Sequence, residues 1–543
     1  MKSPILGSSY VARSVNAADA RMVNLFPEVV PEGGQMPAFL NRAPGLKLQQ
    51  AVGTGPIRGL WAHQTQGSNF FVVSGNEVYK LSSLTGTPTL LGSVNGTGPV
   101  SIADNGDQIV FACNPDAFIY TESTNTFVQV TDPDFPGAVT VGYLDGYFVF
   151  NPPNSQRLYV TSLLDGTQID PLDFVSAEGS PDGIVGLIVD HREVWVFGTD
   201  STEVWYNAGT ADFPLARIQG AFNEIGCVAP YSIAKLDNGV FWLGTDARGQ
   251  GIVYRATGYV GQRVSTHAVE WQIQQYLNMS DAVAYTYQQD GHAFYVLNFP
   301  SANTTWVLDV ATGAWHERAY FNEGVFSRHR GNSQCNFLGN IVIGDHLNAN
   351  IYTFDLTTYA DNGTPQKWLR SWRALPTGQN NLKRTAQHNL QIMFESGVGL
   401  SGTALPDVFG LLLTENGNFL TTESGNFIEI STLTPQDINS EVLLLEDGDF
   451  LITESDEYIE VLEGTTQGAN PQAMLRWSDD GGHTWSNEHW VSIGRIGGYG
   501  QRAIWRRLGM TMKLRDRVYE VFGTDPVKLV IIDAELMLSG TNA

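Results

Sequence analysis

The segment Ser478-Asp479-Asp480-Gly481-Gly482-His483-Thr484-Trp485 places two carboxylates, two hydroxyls and an imidazole within eight residues. Those are the side-chain types of general acid–base work. His483 and His489 frame Trp485 and Trp490, but neither an HExxH helix nor a closed ligand set accompanies them, so zinc is not expected there. Asp447-Gly448-Asp449 offers two carboxylates of the kind calcium takes. It lacks the remaining oxygens of a twelve-residue loop and reads as a turn. The run Gly494-Arg495-Ile496-Gly497-Gly498-Tyr499-Gly500 is glycine-rich without the strand-to-helix setting of a phosphate cradle, and reads as a loop. Cys113, Cys227 and Cys335 are far apart with no CxxC, the pattern of small buried hydrophobes rather than ligands. No G-x-S-x-G elbow occurs. The paired carboxylates of a glycosidase would meet only in space. The sequence shows no catalytic constellation, and no metal or cofactor is expected.

The elements that would have to position any such residues are strands. An Asp/Asn-Gly or Gly-Asn pair repeatedly precedes an aromatic, β-branched run: Gly75-Asn76, Asn105-Gly106, Asp145-Gly146, Asn238-Gly239 and Asp290-Gly291. Such pairs supply the positive-φ residues of a hairpin turn. Recurrence every 40 to 45 residues or so is the spacing of propeller blades. Units are placed near 57–92, 99–131, 138–174, 184–220, 228–266, 281–320 and 324–358. The expected fold is all-β. It has a β-propeller of about seven blades over 51–363 and a second, β-sandwich-like platform from 364–394 and 469–543. An acidic β-repeat is inserted at 395–468. Residues 1–50, with Pro27, Pro31, Pro37 and Pro44, lack periodicity and read as an extended arm ordered only by packing on something else. Val269 to Tyr276 reads as one short helix. No run of about 18 apolar residues occurs, so no membrane span is expected, and the opening Met1-Lys2-Ser3-Pro4 builds no secretory h-region.

Charge divides the chain. The net charge is −25, which opposes a grip on nucleic acid, because duplex affinity comes from cations displacing counterions. It is compatible with a wall along which DNA slides, and also with simple solubility. From Glu395 to Glu463 there are 15 acidic residues and no Lys or Arg. Within that stretch 412–430 matches 443–461 at an offset of 31 residues: Gly417 with Gly448, Phe419 with Phe450, Glu423 with Glu454. Two copies stacked, or copies from several subunits, would bury an apolar face that one cannot. The preceding 364–394 holds Lys367, Arg370, Arg373, Lys383 and Arg384 and no acid. Arg476, Arg495, Arg502, Arg506, Arg507, Lys513, Arg515 and Arg517 gather near Trp477, Tyr499 and Trp505. This is either a solvated, tryptophan-stacked set or a docking surface.

Two resemblances follow. Ser478 to Trp485 fits S-x-D-x-G-x-T-W and resembles the Asp box of sialidase-like propellers, where it is a folding element remote from catalysis. Gly7-Ser8-Ser9-Tyr10, Arg13-Ser14-Val15-Asn16-Ala17, Arg21-Met22-Val23-Asn24-Leu25-Phe26-Pro27-Glu28 and Ala43-Pro44-Gly45-Leu46 resemble the opening of the packaged-DNA stabilisation, or tail hub/nozzle, proteins of short-tailed phages (podoviruses). Leu475 to Gly482, Trp505-Arg506-Arg507-Leu508-Gly509 and Arg515-Asp516-Arg517-Val518 resemble its end. The resemblance implies a non-enzymatic virion tail protein, assembled in the host cytoplasm as a homohexameric ring. That ring would continue the DNA channel below the portal-adaptor ring, retain packaged DNA and release it at ejection. Tail fibres, tailspike or tail needle would lie beside or below, and double-stranded DNA would pass without specific binding. Arg13, Arg21, Asn24 and Phe26 in the arm, with Arg476, Trp477, Trp505, Arg506 and Arg507, are then expected at subunit or adaptor contacts. Glu415, Glu423, Glu429, Glu446, Asp447, Asp449, Glu454 and Glu460 are expected at a channel or gate. The competing readings are a propeller glycosidase or sialidase-like enzyme and a glycan-binding adhesin.

Overall fold

In the computed structural model all residues are described except 12, 14–18, 31, 33, 35, 64–68, 178, 181, 211–212, 377–383, 401–409, 412–428, 431–467, 512–516 and 541–543. Each turn signal becomes the tip of a hairpin. At Asp145 (φ 48°) and Gly146 (φ 101°) the strands Thr140–Leu144 and Tyr147–Asn151 are joined by two residues, with Leu144 opposite Tyr147. Two successive positive φ values match the strand twist, and only Gly, Asn and Asp hold them cheaply.

Among the described residues these hairpins build seven propeller sheets. Six follow chain order over 57–93, 101–129, 140–176, 184–223, 226–263 and 283–317. The seventh takes Gly331–Phe337, Asn340–Asp345 and Asn350–Asp355 and receives its outer strand, Gly45–Ala51, from the N-terminal segment. The sequence-based boundary near residue 50 therefore falls inside a strand. Gly45–Ala51 alternates only weakly, and its partner lies about 300 residues away, so local patterning does not reveal it. Residues 324–328 also leave the seventh blade, because Val325–Arg328 pairs instead with Ala319–Asn322.

Apolar clusters fill the wedges between successive blades, and one cluster closes the ring. Ile57, Phe70 and Val72 of the first blade, with Val52 in the link that enters it, meet Phe337, Val342 and Ile351 of the seventh. Each such side chain contributes about 1.5–3 kcal/mol of gross burial. Closure thus rests on packing as well as on the Gly45–Ala51 ladder. The single α-helix among the described residues, His267–Gln274, is capped by Thr266 and lies against the fifth blade.

Two sheets form a sandwich beside the ring. One pairs Leu25–Val29, Ala38–Arg42, Val530–Gly540, Thr385–Phe394 and Ala503–Arg506. The other holds Trp368–Arg373, Val518–Gly523, Gln472–Ser478 and His489–Ser492 and is continuous with the sixth blade. The two-residue strand Met22–Val23 makes that join, running parallel to Glu317 and antiparallel to Leu369 and Arg370. Trp368, Trp372, Leu390, Leu475, Trp505 and Tyr519 fill the space between the sheets. Propeller and sandwich thus share one nine-stranded sheet.

Candidate functional site

The arm is the seam of the molecule, and its motif residues are what it sews with. Asn24 has φ 54° and is fully buried. Its Nδ2 donates to the Ala319 and Lys367 carbonyls, both at 2.8 Å, and its Oδ1 accepts from the Ala319 amide at 3.0 Å. Asparagine tolerates the left-handed region, and here its amide satisfies backbone from both domains. Arg21 donates in a fork to Glu317, Nε to Oε1 at 2.8 Å and Nη2 to Oε2 at 2.7 Å. The Glu317 carboxylate raises the guanidinium's affinity for its proton. Phe26 packs edge-on to Phe294 in the sixth–seventh wedge. Arg13 is exposed.

Further buried arginines, absent from the sequence-based set, complete the seam. Arg370 donates Nε to the Ile5 carbonyl at 2.7 Å. Arg42 donates to the carbonyls of Val527 (2.9 Å) and Gln366. Burial lowers the pKa of each to about 10. A lone Arg among apolar residues gives little sequence signal. Its burial depends on carbonyls that come together only in three dimensions.

In the sandwich, the basic cluster separates into buried and exposed members. Arg476 donates Nε to Glu520 at 2.6 Å and lies 4.9 Å over the Trp485 ring. Arg517 forks onto Asp479 at 2.6 and 2.8 Å and lies over Trp477. Trp477 stacks on His489 at 4.7 Å, and buried Trp505 donates to the His489 carbonyl at 2.7 Å. The carboxylate partners Glu317, Glu520 and Asp479 are the residues the sequence-based set omits. Arg506 and Arg507 point to solvent. So do Trp490 (59% exposed), Ile496 and Tyr499 (78%). Tyr499 stands over Gly397, and Leu400 donates to the Gly468 carbonyl at 2.8 Å, so this exposed apolar group flanks the root of the acidic insertion. Lys383, Lys513 and Arg515 lie outside the described residues, as do Glu415, Glu423, Glu446, Asp447, Asp449, Glu454 and Glu460 and the side chain of Glu429.

The motif Ser478 to Trp485 is a turn closed on its own aspartate. Asp480 Oδ1 accepts from the amides of His483 and Thr484 at 2.9 Å, and Oδ2 from the Thr484 hydroxyl at 2.6 Å. Hydrogen bonds from Ser478 and Thr484 hold its carboxyl well below the usual range. The carboxylate oxygens are used by the fold. The three cysteines are free and buried, their thiols pushed up to about 12 by burial. Among the described residues no group of His, Cys, Asp and Glu could hold a metal ion, and no helix is long and apolar enough to cross a membrane. On the face bearing the inner hairpin turns, blades four to seven converge on a polar hollow of about 780 Å³ lined by Asp190, His191, Lys235, Asp237 and Gln334.

The N-terminal arm sews propeller to sandwich, and its motif residues Arg21 and Asn24 bond across that join. The family described as bacteriophage P22 Gp10, beta-propeller, matches residues 1–359, and the companion description, bacteriophage P22 Gp10, beta-sandwich, matches 443–538. The chain belongs to the bacteriophage P22 Gp10 family and is a phage structural protein. No curated protein matches the sequence. Solved structures similar to the chain include the N-terminal domain of Nup159, at 11% identity and TM-score 0.37 over 60% of this chain and 98% of that one. The extracellular domain of BT4673 from B. thetaiotaomicron is similar at 10% and 0.38, over 88% of this chain and 58% of that one. YCF48 from Cyanidioschyzon merolae is similar at 12% and 0.37, over 57% and 98%.

Proposed function

We propose that this protein forms the tail hub or nozzle of a short-tailed phage. Six copies ring the DNA channel below the portal-adaptor, retain the packaged genome and let it pass at ejection. The observation that supports this reading best is the match of both halves of the chain to the P22 Gp10 family, propeller and sandwich in the same order. The physical features agree with it. A blade and a sandwich sheet fused into one nine-stranded sheet make a stiff spacer. A net charge of −25 repels phosphate and so suits a duplex that must slide.

The exposed members of the expected interface, Arg13, Arg506 and Arg507, would meet neighbouring copies or the adaptor. Arg21, Asn24, Phe26, Arg476 and Trp505 would act indirectly, by fixing the angle between propeller and sandwich. The acidic repeat at 395–468 would project toward the axis as a tip or gate, with fibres, tailspike or needle docking outside it. Light scattering on the purified chain tests the assembly. A particle of about six 59.5 kDa chains is expected. A monomer that hydrolyses bacterial surface glycan would replace the proposal with the enzyme reading.

A further inference from the structure

Among the described residues the sandwich ends in an open edge. His489–Ser492 is the last strand of one sheet and Ala503–Arg506 the last strand of the other. Both lie on the same side, where the Trp505 indole donates to the His489 carbonyl at 2.7 Å. The opposite end of the second sheet is closed, because Phe26 of Leu25–Val29 packs on Phe294 of the sixth blade. A terminal strand presents a row of unpaired backbone groups, which folded proteins protect with charge, proline or a cover. His489-Trp490-Val491-Ser492 holds no Lys, Arg, Asp, Glu or Pro, and Trp490 is exposed. Ile496 and Tyr499, in the loop that links the two strands, are exposed as well.

This edge is opposite in charge to the rest of the chain. Residues 489–510 hold Arg495, Arg502, Arg506 and Arg507, all exposed, and no acid. They contribute +4 to a net charge of −25, so the remaining residues carry −29. Much of that charge is concentrated. Residues 81–191, which run through the second and third blades, hold 13 acids against one base, Arg157. Within them the loop between Arg157–Val160 and Phe174–Ser176 exposes Leu163, Leu164 and Leu172. Leu164 has φ 60°, an unusual conformation for a bulky side chain, and its amide donates to the Gly146 carbonyl at 2.7 Å. Asp170 on this loop is exposed, and so is Asp134 on the adjoining segment, which the Ile169 amide joins through Asp132 at 3.2 Å. The third blade thus carries an acidic rim with apolar tips, the converse of the arginine-and-tryptophan edge.

The two surfaces lie at opposite ends of the molecule. In a closed ring of seven blades the third is three steps from both the sixth and the seventh. The wedge between those two is where the arm anchors the sandwich. Complementary faces at opposite ends of one chain make a head-to-tail contact, which closes into a ring when the rotation allows. We propose that the Trp490–Arg506 edge of each copy docks on the leucine-tipped acidic rim of the third blade of the next copy. Apolar groups meet at the centre, and the arginines of the edge face Asp134 and Asp170. The contact rests on the tail-ring reading and names the surfaces through which its copies join.

Charge reversal in the full chain, followed by sedimentation velocity, tests this. Wild type should sediment as a ring whose association weakens as salt rises. Arg502→Glu with Arg506→Glu should weaken association by about a hundredfold or more and leave single chains with an unchanged circular dichroism spectrum. Asp134→Arg with Asp170→Arg should do the same, and serves if the first variant does not fold. Mixed one to one, the two variants should reassemble, because every edge then meets a rim of opposite sign. A wild-type ring untouched by either reversal, or dissociated variants that stay apart when mixed, would overturn this contact and leave the ring standing. A wild-type chain that stays single would overturn both.

Discussion

Arg21 and Glu317 are 296 positions apart and meet in a two-pronged ion pair, 2.8 Å and 2.7 Å, at the point where the arm crosses from the sixth blade to the sandwich. Glu317 is nearly buried, while the Arg21 side chain is about one-third exposed. The pair therefore falls between a surface bridge, worth under about 1 kcal/mol, and a buried one, whose breakage costs about 3–5 kcal/mol. Arg21→Met should destabilise the chain by about 2 kcal/mol in denaturant unfolding. Glu317→Gln should cost at least as much, since it leaves the guanidinium without its counter-charge.

Asn24 separates conformation from hydrogen bonding. Asn24→Gly keeps φ 54° but loses three hydrogen bonds, an expected cost of about 2–3 kcal/mol. Asn24→Ala adds about 1 kcal/mol of left-handed strain to that loss. Unfolding midpoints that rank wild type above Gly above Ala would bear this out. Equal midpoints for the two variants would show that the backbone relaxes.

Burial raises the Asp361 carboxyl to about 6. A folded pKa above the unfolded one means that the carboxyl's contribution is favourable below about pH 4 and is lost as pH climbs through about 6. Asp361→Asn should therefore stabilise the protein at pH 8, by on the order of 2–3 kcal/mol, and should have little effect at pH 4. Thermal unfolding of both proteins between pH 4 and 8 measures this. A variant that is less stable at pH 8 would show that the carboxylate is well compensated in the fold.

The two chain segments that flank 401–467 are hydrogen-bonded to each other, the Leu400 amide to the Gly468 carbonyl at 2.8 Å. Replacing 401–467 by a short Gly-Ser linker should leave the unfolding temperature within a few degrees and the ring intact. Phage carrying that chain should lose packaged DNA during storage or eject prematurely, measured as released DNA per particle. Normal retention would remove the acidic repeat from the gate.

The propeller was legible because its signals are local. Asp145-Gly146, Asp237-Asn238 and Asp290-Gly291 adopt the positive φ values their side chains permit, and the runs beside them are central strands. The N-terminal arm was legible only as unpatterned. Its strands Met22–Val23 and Gly45–Ala51 find partners about 300 residues away, and two-residue pairing carries no periodicity. Arg476 and Arg517 were visible as cations near tryptophan. Glu520 carries no signal and Asp479 shows only as part of the Ser478–Trp485 motif, not as the partner of Arg517, because an ion pair across neighbouring strands depends on register. Arg42 gave no signal and Arg370 showed only as one cation of a basic stretch, since a buried guanidinium is defined by carbonyls gathered from distant segments.

The most direct test of the tail-ring account is a cryo-EM reconstruction of the phage particle that carries this chain. The account predicts six copies around the DNA axis beneath the portal-adaptor, each with propeller and sandwich at one fixed angle and the 395–468 segment toward the channel. Particles lacking the chain, or holding it as isolated copies on the outer surface away from the axis, would contradict it.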